Sequence, residues 1–126
     1  MSQVTNSRVL LLGVENADGT VTGVTAGTSQ PVNRENDGLL AFFLRSVGTT
    51  SGGTVLIEEA DWGPLEGPYS GTWSVLQTIT AASFTGGVQL AVHVTDCSYG
   101  WVRVRISSAI TGGGTMLASM RSRGKV

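Results

Sequence analysis

Residues 88–94 read Val88-Gln89-Leu90-Ala91-Val92-His93-Val94, and apolar side chains recur at every second position. That period belongs to a β-strand with one face buried, since successive side chains point to opposite sides of a sheet. Tyr99 to Ile106 repeats the pattern, with Val102, Val104 and Ile106 on the inward face and Trp101, Arg103 and Arg105 on the outward one. Thr54 to Ala60 puts Val55 and Ile57 on one face and Leu56 and Glu58 on the other, and Trp73, Val75, Gln77 and Ile79 mark the inner face of the next strand. Val9 to Leu12 reads as a first strand, Val21 to Ala26 as an edge strand and Thr115 to Met120 as a last one. Between them lie turn signals at Asn16 to Gly19, Gly48 to Gly53, Ala81 to Gly87, Thr95 to Ser98 and Gly112 to Gly114; glycine, asparagine and aspartate supply the backbone angles that turns need. Pro31 to Gly38 is polar and reads as a loop, and Asp61 to Gly71 as a longer loop pinned by its aromatic residues.

The expectation is an all-β chain, a two-sheet β-sandwich or jelly roll of about seven to eight antiparallel strands. One domain spans residues 1–126, with a polar N-terminal arm over about 1–7 and a basic C-terminal tail over about 121–126. That tail carries Arg121, Arg123 and Lys125; it reads as a solvated end, with a docking arm for an acidic partner as the functional alternative.

Leu39 to Val47 is the most hydrophobic run. Leu39, Ala41, Phe43 and Arg45 share one face of the strand, and Leu40, Phe42, Leu44 and Ser46 share the other. Both faces are mostly apolar, whereas a strand covered on one side alternates cleanly. Either the strand is central with extra cover, or its outer face meets another subunit.

Composition narrows the function classes. Of 126 residues, 40% are hydrophobic and only 13% charged, with a formal net charge of −1, so the basic footprint of a nucleic-acid binder is missing. Direct contact with nucleic acid is not expected. Cys97 is the single cysteine, which forbids an intramolecular disulfide and suits a reducing cytoplasm. Met1 to Asn6 is polar and Val9 to Leu12 is too short for a signal core. No stretch reaches the length of a membrane-spanning helix, so no membrane partner is expected.

Catalytic constellations are thin. His93, Asp96 and Cys97 invite a Cys–His dyad, but positions four apart on an extended strand are about 13 Å from one another. Glu58, Glu59 and Asp61 form the one acidic cluster; Glu58 and Glu59 are strand neighbours that point to opposite faces, and pairing with Arg103 or Arg105 across the sheet explains them better than a metal or glycoside chemistry. Trp101 on the same face is placed to stack on a guanidinium. Gly112-Gly113-Gly114 lacks the lysine and helix of a phosphate loop. The expectation is no enzyme, no cofactor and no metal. Trp62, Tyr69 and Trp73 leave open a carbohydrate-binding module that grips sugars with Trp62 and Tyr69, against the plainer reading that Trp73 is core and Trp62 pins its loop.

Three stretches resemble a known family: Gly53 to Asp61 (Gly-Thr-Val-Leu-Ile-Glu-Glu-Ala-Asp), Gly71 to Ser74 (Gly-Thr-Trp-Ser) and Tyr99 to Ile106 (Tyr-Gly-Trp-Val-Arg-Val-Arg-Ile), continued by Ser107 to Gly113. They are similar to small virion proteins of tailed bacteriophages, over about residues 52–115. The resemblance implies a β-sandwich or jelly roll without catalytic residues. It also implies a virion structural protein, foremost a capsid cement, or decoration, protein that binds the outside of the major capsid protein shell as a homodimer or homotrimer and stabilises the head. A tail-associated or host-recognition virion protein is the alternative. The implied location is the capsid surface, after synthesis in the bacterial host cytoplasm. The expected oligomer or capsid interface is Leu40, Phe42, Phe43, Leu44, Trp62, Tyr69, Arg121 and Arg123.

Overall fold

The computed structural model describes residues 6–33, 37–60, 72–81, 89–94 and 101–124. Among them are eleven strands: β1 (Asn6–Leu12), β2 (Val14–Glu15), β3 (Val21–Thr22), β4 (Gly27–Thr28), β5 (Val32–Asn33), β6 (Asp37–Val47), β7 (Gly52–Ala60), β8 (Ser74–Thr80), β9 (Gln89–Val94), β10 (Trp101–Thr111) and β11 (Thr115–Gly124). Every pairing between them is antiparallel. One sheet has the order β1-β11-β6-β9; the other runs β4-β10-β7-β8, with β5 also on β10; β2 and β3 form a separate two-stranded ribbon. The architecture is the β-sandwich expected from the strand pattern.

The core is where the inward residues of the two sheets meet. Phe42, Leu44, Met116, Ala118 and Met120 come from the first sheet, and Val55, Ile57, Val102, Val104 and Ile106 from the second. The alternation read in Tyr99 to Ile106 holds: Val102, Val104 and Ile106 are buried, while Trp101, Arg103 and Arg105 are half-buried on the outside. In β6 the ambiguity of two apolar faces resolves. Phe42, Leu44 and Ser46 point inward and are essentially sealed, so Phe43 and Arg45 point outward. Phe42 and Leu44, expected at an interface, are therefore core residues, because the second sheet claims their face.

Expectations at three further places in the chain need correction. Arg121 is not in a tail: β11 runs on to Gly124 between β1 and β6, with Arg121 opposite both Arg8 and Ala41 and Arg123 opposite both Asn6 and Leu39. A ladder of backbone hydrogen bonds on both sides carries the strand past its last apolar residue. The expected arm likewise enters β1 at Asn6. Secondly, the expected edge strand at residues 21–26 is only Val21–Thr22, and the expected loop at 31–38 contains β5 and the start of β6. Val24 bridges to Met116, and the chain then follows β10 through Gly27–Thr28 and Val32–Asn33. Between those short strands Ser29 is buried; its N–H donates to the Val104 carbonyl at 2.8 Å, and its hydroxyl accepts from the Val104 N–H at 2.9 Å. Thirdly, Trp73, Val75, Gln77 and Ile79 do not share an inner face. A bulge between the Ile57 and Glu58 pairings shifts β8, so Ile79 is buried whereas Val75 is 50% exposed.

The glycine runs have a structural reason beyond turn chemistry. The chain crosses between sheets from β6 to β7 and again from β10 to β11, and the two crossings touch. The Gly114 N–H donates to the Thr49 carbonyl at 2.7 Å, and the Ser51 N–H donates to that of Thr111 at 2.8 Å. A methyl group at Gly114 would sit 2.5 Å from the Thr49 oxygen, which only glycine avoids. Buried Thr50 closes the corner by donating its hydroxyl to the Ala81 carbonyl at 2.7 Å.

The two neighbouring phenylalanines have opposite fates under the same substitution. Phe42→Asp places a charge in a sealed core and is expected to remove at least about 4 kcal/mol, a large share of the stability of a domain this size. Phe43→Asp is expected to leave a cooperative urea transition within about 1 kcal/mol of wild type. Circular dichroism with urea titration checks both, and equal loss in the two variants would contradict the assigned direction of β6.

Candidate functional site

Each main sheet has an outward face, and the two differ in how they treat charge. On the second sheet, Arg103 lies directly across from Glu58, and Arg105 lies two pairs along, on the same face. The Arg103 Nε donates to Glu58 Oε1 at 2.9 Å; the Arg105 Nε donates to the same oxygen at 3.1 Å and its Nη2 to Oε2 at 3.2 Å. Glu58 is buried beneath the two guanidinium groups. Burial opposes its ionisation, but the hydrogen bonds from Arg105 and Arg103 and then their charges outweigh that cost and hold the carboxyl below its usual range. The hydrogen bond that Arg105 donates to Glu58 in turn raises the pKa of Arg105. Arg103 also lies over the ring of Trp73, 4.3 Å from the centroid. The aromatic partner of the guanidinium is thus Trp73, brought there by the bulged entry of β8, and not the expected Trp101. Glu58 offsets one of the two positive charges and is shared by both arginines, which marks the cluster as a clamp between β7 and β10.

The outward face of the first sheet holds cations of a different kind. Pairing places Leu10, Ser119, Phe43 and Ala91 in one row across the sheet, Leu117, Arg45 and Gln89 in the next row, and Arg8, Arg121, Ala41 and His93 in the row on the other side. Leu10 and Phe43 flank the small Ser119, and the row sinks into a shallow depression of about 510 Å³. Leu117 lines one end with Arg45, and Arg121 lines the other. Val21 comes from the β2–β3 ribbon and forms a side wall.

Local sequence explains how the ribbon reaches this face. The register of β1 slips between Leu10 and Leu12, so Leu11 and Leu12 are both buried, and Gly13 then turns the chain at a φ of +134°. A side chain at Gly13 would stand 2.7 Å from Leu117 Cδ2 and 3.2 Å from Val21 Cγ1, so the ribbon lies against the sheet without room to spare. The ribbon's own turn is built as the Asn-Ala-Asp-Gly signal promised. Asp18 accepts the Thr20 hydroxyl at 2.6 Å and the Thr20 N–H at 3.0 Å, bonds that hold its carboxyl below the usual value, and Gly19 takes a positive φ of +88°.

The expected interface residues separate accordingly. Phe43 and Arg121 line the depression. Phe42 and Leu44 are core. Leu40 is placed in the β6 ladder opposite Ser122 and Val94, and Arg123 in the β11 ladder. Trp62 and Tyr69 lie outside the described residues, as do Asp61, Asp96 and Cys97. His93 is exposed on β9 opposite Ala41. Among the described residues, no group of three or more histidine, cysteine, aspartate or glutamate side chains is arranged to hold a metal ion. Leu10, Val21, Arg45 and Leu117 were not foreseen as site residues. The doubly apolar run at Val9 to Leu12 held a signal for Leu10, and the parity of Phe43 held one for Arg45; nothing local pointed to Val21.

No family model matches the chain, and no curated protein matches it. Among solved structures it is similar to the SPBc2 prophage-derived protein YomS, with a TM-score of 0.58 and 7% sequence identity over 98% of this chain and 97% of that one. A weaker likeness, with a TM-score of 0.49 and 16% identity over 98% of this chain and 88% of the other, is to a protein of Bacillus endospore appendages, a family of disulfide-linked pili. The likeness to YomS is one of fold.

Two variants test this account of the outer faces. Glu58→Gln is expected to cost about 2 kcal/mol near neutral pH, since it removes the charge that both arginines share. Folding favours the ionised carboxylate, so this stability is complete above the ordinary glutamate value of 4.5 and is lost as pH falls through the lower folded-state value. Urea titrations at stepped pH should show the variant losing less stability over that acid range than wild type. Gly13→Ala is expected to cost about 1–3 kcal/mol and to shift the NMR resonances of Val21, because the added methyl strains the positive-φ turn and pushes the ribbon off Leu117.

Proposed function

We propose that this chain is a structural protein of a phage particle and, within the particle, a capsid cement protein that binds the outer surface of the major capsid protein shell and stabilises the head. The observation that carries the reading is a β-sandwich shared over nearly its full length with a prophage-derived protein. The sequence resemblance of about residues 52–115 to small virion proteins points the same way. So does the character of the surface. A cement protein works by burying area between neighbouring shell subunits, at roughly 25 cal/mol for each Å² of apolar surface removed from water. The outward face of the first sheet, with the ribbon beside it, offers apolar surface of this kind at Leu10, Phe43, Leu117 and Val21. It needs no chemistry, only complementarity and many copies.

Virions produced from the genome that encodes the chain provide the test. Antibody labelling viewed by electron microscopy is expected to coat the head evenly, and heads lacking the protein are expected to rupture at lower temperature and to regain resistance when the purified protein is added back. Label confined to the tail would replace this reading with that of a tail-associated or host-recognition protein. Absence from the particle would end both.

A further inference from the structure

We infer, building on the assembly role proposed above, that the depression on the first sheet takes an extended segment of a partner chain that carries two carboxylates four residues apart with an apolar side chain midway between them.

The spacing comes from the strand register. Arg45 stands opposite Leu117, and Arg121 stands opposite Ala41. The two arginines are thus four positions apart along the strands, about 13 Å. Phe43 and its opposite number Ser119 lie midway, with Leu10 on the other side of Ser119. The sequence of surfaces along the depression is cation, apolar pocket, cation. In an extended peptide, side chains i, i+2 and i+4 project from one side at the same pitch. Such a segment laid along the strands presents acid, apolar group and acid to Arg45, to the Leu10–Phe43 pocket and to Arg121 in turn.

The charge argument selects this occupant. Arg103 and Arg105 are consumed by Glu58, whereas among the described residues neither Arg45 nor Arg121 has an ion-pair partner. Among the described side chains, the carboxylate at the margin is Glu15, which lies with Leu10 and Val21 on the ribbon side. A second copy docked face to face about a two-fold axis would bring one arginine pair onto the other, and like charges in contact are penalised. An enclosed small-molecule pocket does not fit either, because Leu10 and Val21 remain 37% and 40% exposed. An acidic, apolar strand-like segment satisfies both the cations and the open apolar floor.

Fluorescence anisotropy of the full chain with a labelled peptide containing Glu-Thr-Leu-Thr-Glu tests the proposal, beside the controls Lys-Thr-Leu-Thr-Lys and Thr-Glu-Glu-Leu-Thr. The first peptide is expected to bind at least about tenfold more tightly than either control, with affinity falling as salt is raised. Arg45→Glu/Arg121→Glu should reverse the preference in favour of the lysine peptide. Phe43→Ala should weaken binding about tenfold, and urea unfolding of both variants confirms that they fold. Equal binding of all three peptides, or no binding of any, overturns the inference. So does undiminished head decoration by the charge-reversed variant, an outcome that leaves the assembly role intact. Absence of the wild-type protein from the particle, with peptide selectivity retained, overturns the assembly role alone. Sedimentation as an oligomer that falls to monomer in Phe43→Ala would identify a second copy as the occupant and also overturn the inference.

Discussion

The rest of this structure depends on the burial of Phe42 and Leu44 between the two sheets. β6 is central in the first sheet, paired to β11 on one side and β9 on the other. Its inward residues meet those of β7 and β10 in a single core with Ile57, Val102 and Val104. Each fully buried large side chain contributes roughly 1.5–3 kcal/mol, so the handful at this junction outweighs any surface interaction in the molecule. A strand has a strict period of two, and fixing Phe42 and Leu44 inside leaves Phe43 and Arg45 no choice but the outside. The apolar strip on the outer face of the first sheet is a consequence of core packing.

The two outer faces show what becomes of charge once the core is set. On the second sheet a carboxylate is paid for by two arginines and an indole, and the result is a self-contained clamp that ties β7 to β10. On the first sheet the arginines stand at the ends of an apolar depression and face outward. The first arrangement stabilises the fold and presents little for a partner to neutralise. The second leaves its favourable interactions to be made by something else. The β2–β3 ribbon sharpens this contrast, because it folds over the first sheet and turns a flat apolar strip into a walled one.

Much of this was legible in the chain because alternation is a local property. Val102, Val104 and Ile106 against Trp101, Arg103 and Arg105 could be assigned to faces from spacing alone, and the acidic pair Glu58 and Glu59 offered a partner for the arginines, which the register then assigns to Glu58. The turn at Asn16 to Gly19 and the crossing at Gly112 to Gly114 carry their own backbone requirements in their residue types. The β-sandwich follows from such signals, since half-buried strands must bury their apolar sides against one another.

What only the tertiary structure decided are the features whose cause lies elsewhere in the chain. Phe42 and Phe43 have equal hydrophobicity, and the position of the opposite sheet chooses between them. Arg121 to Gly124 reads as a polar end, yet the ladders from β1 and β6 hold it as strand, because backbone pairing is indifferent to side-chain polarity. Trp73 reached Arg103 through a bulge that shifts β8 by one residue, and a one-residue shift reverses every face beyond it. Val21 joined the depression because Gly13 and a slipped register swing the ribbon over β11. The sequence by itself determined that there would be an apolar strand with one face to spare. Which face, and what stands around it, were decided by contacts between residues far apart in the chain, which no local pattern encodes.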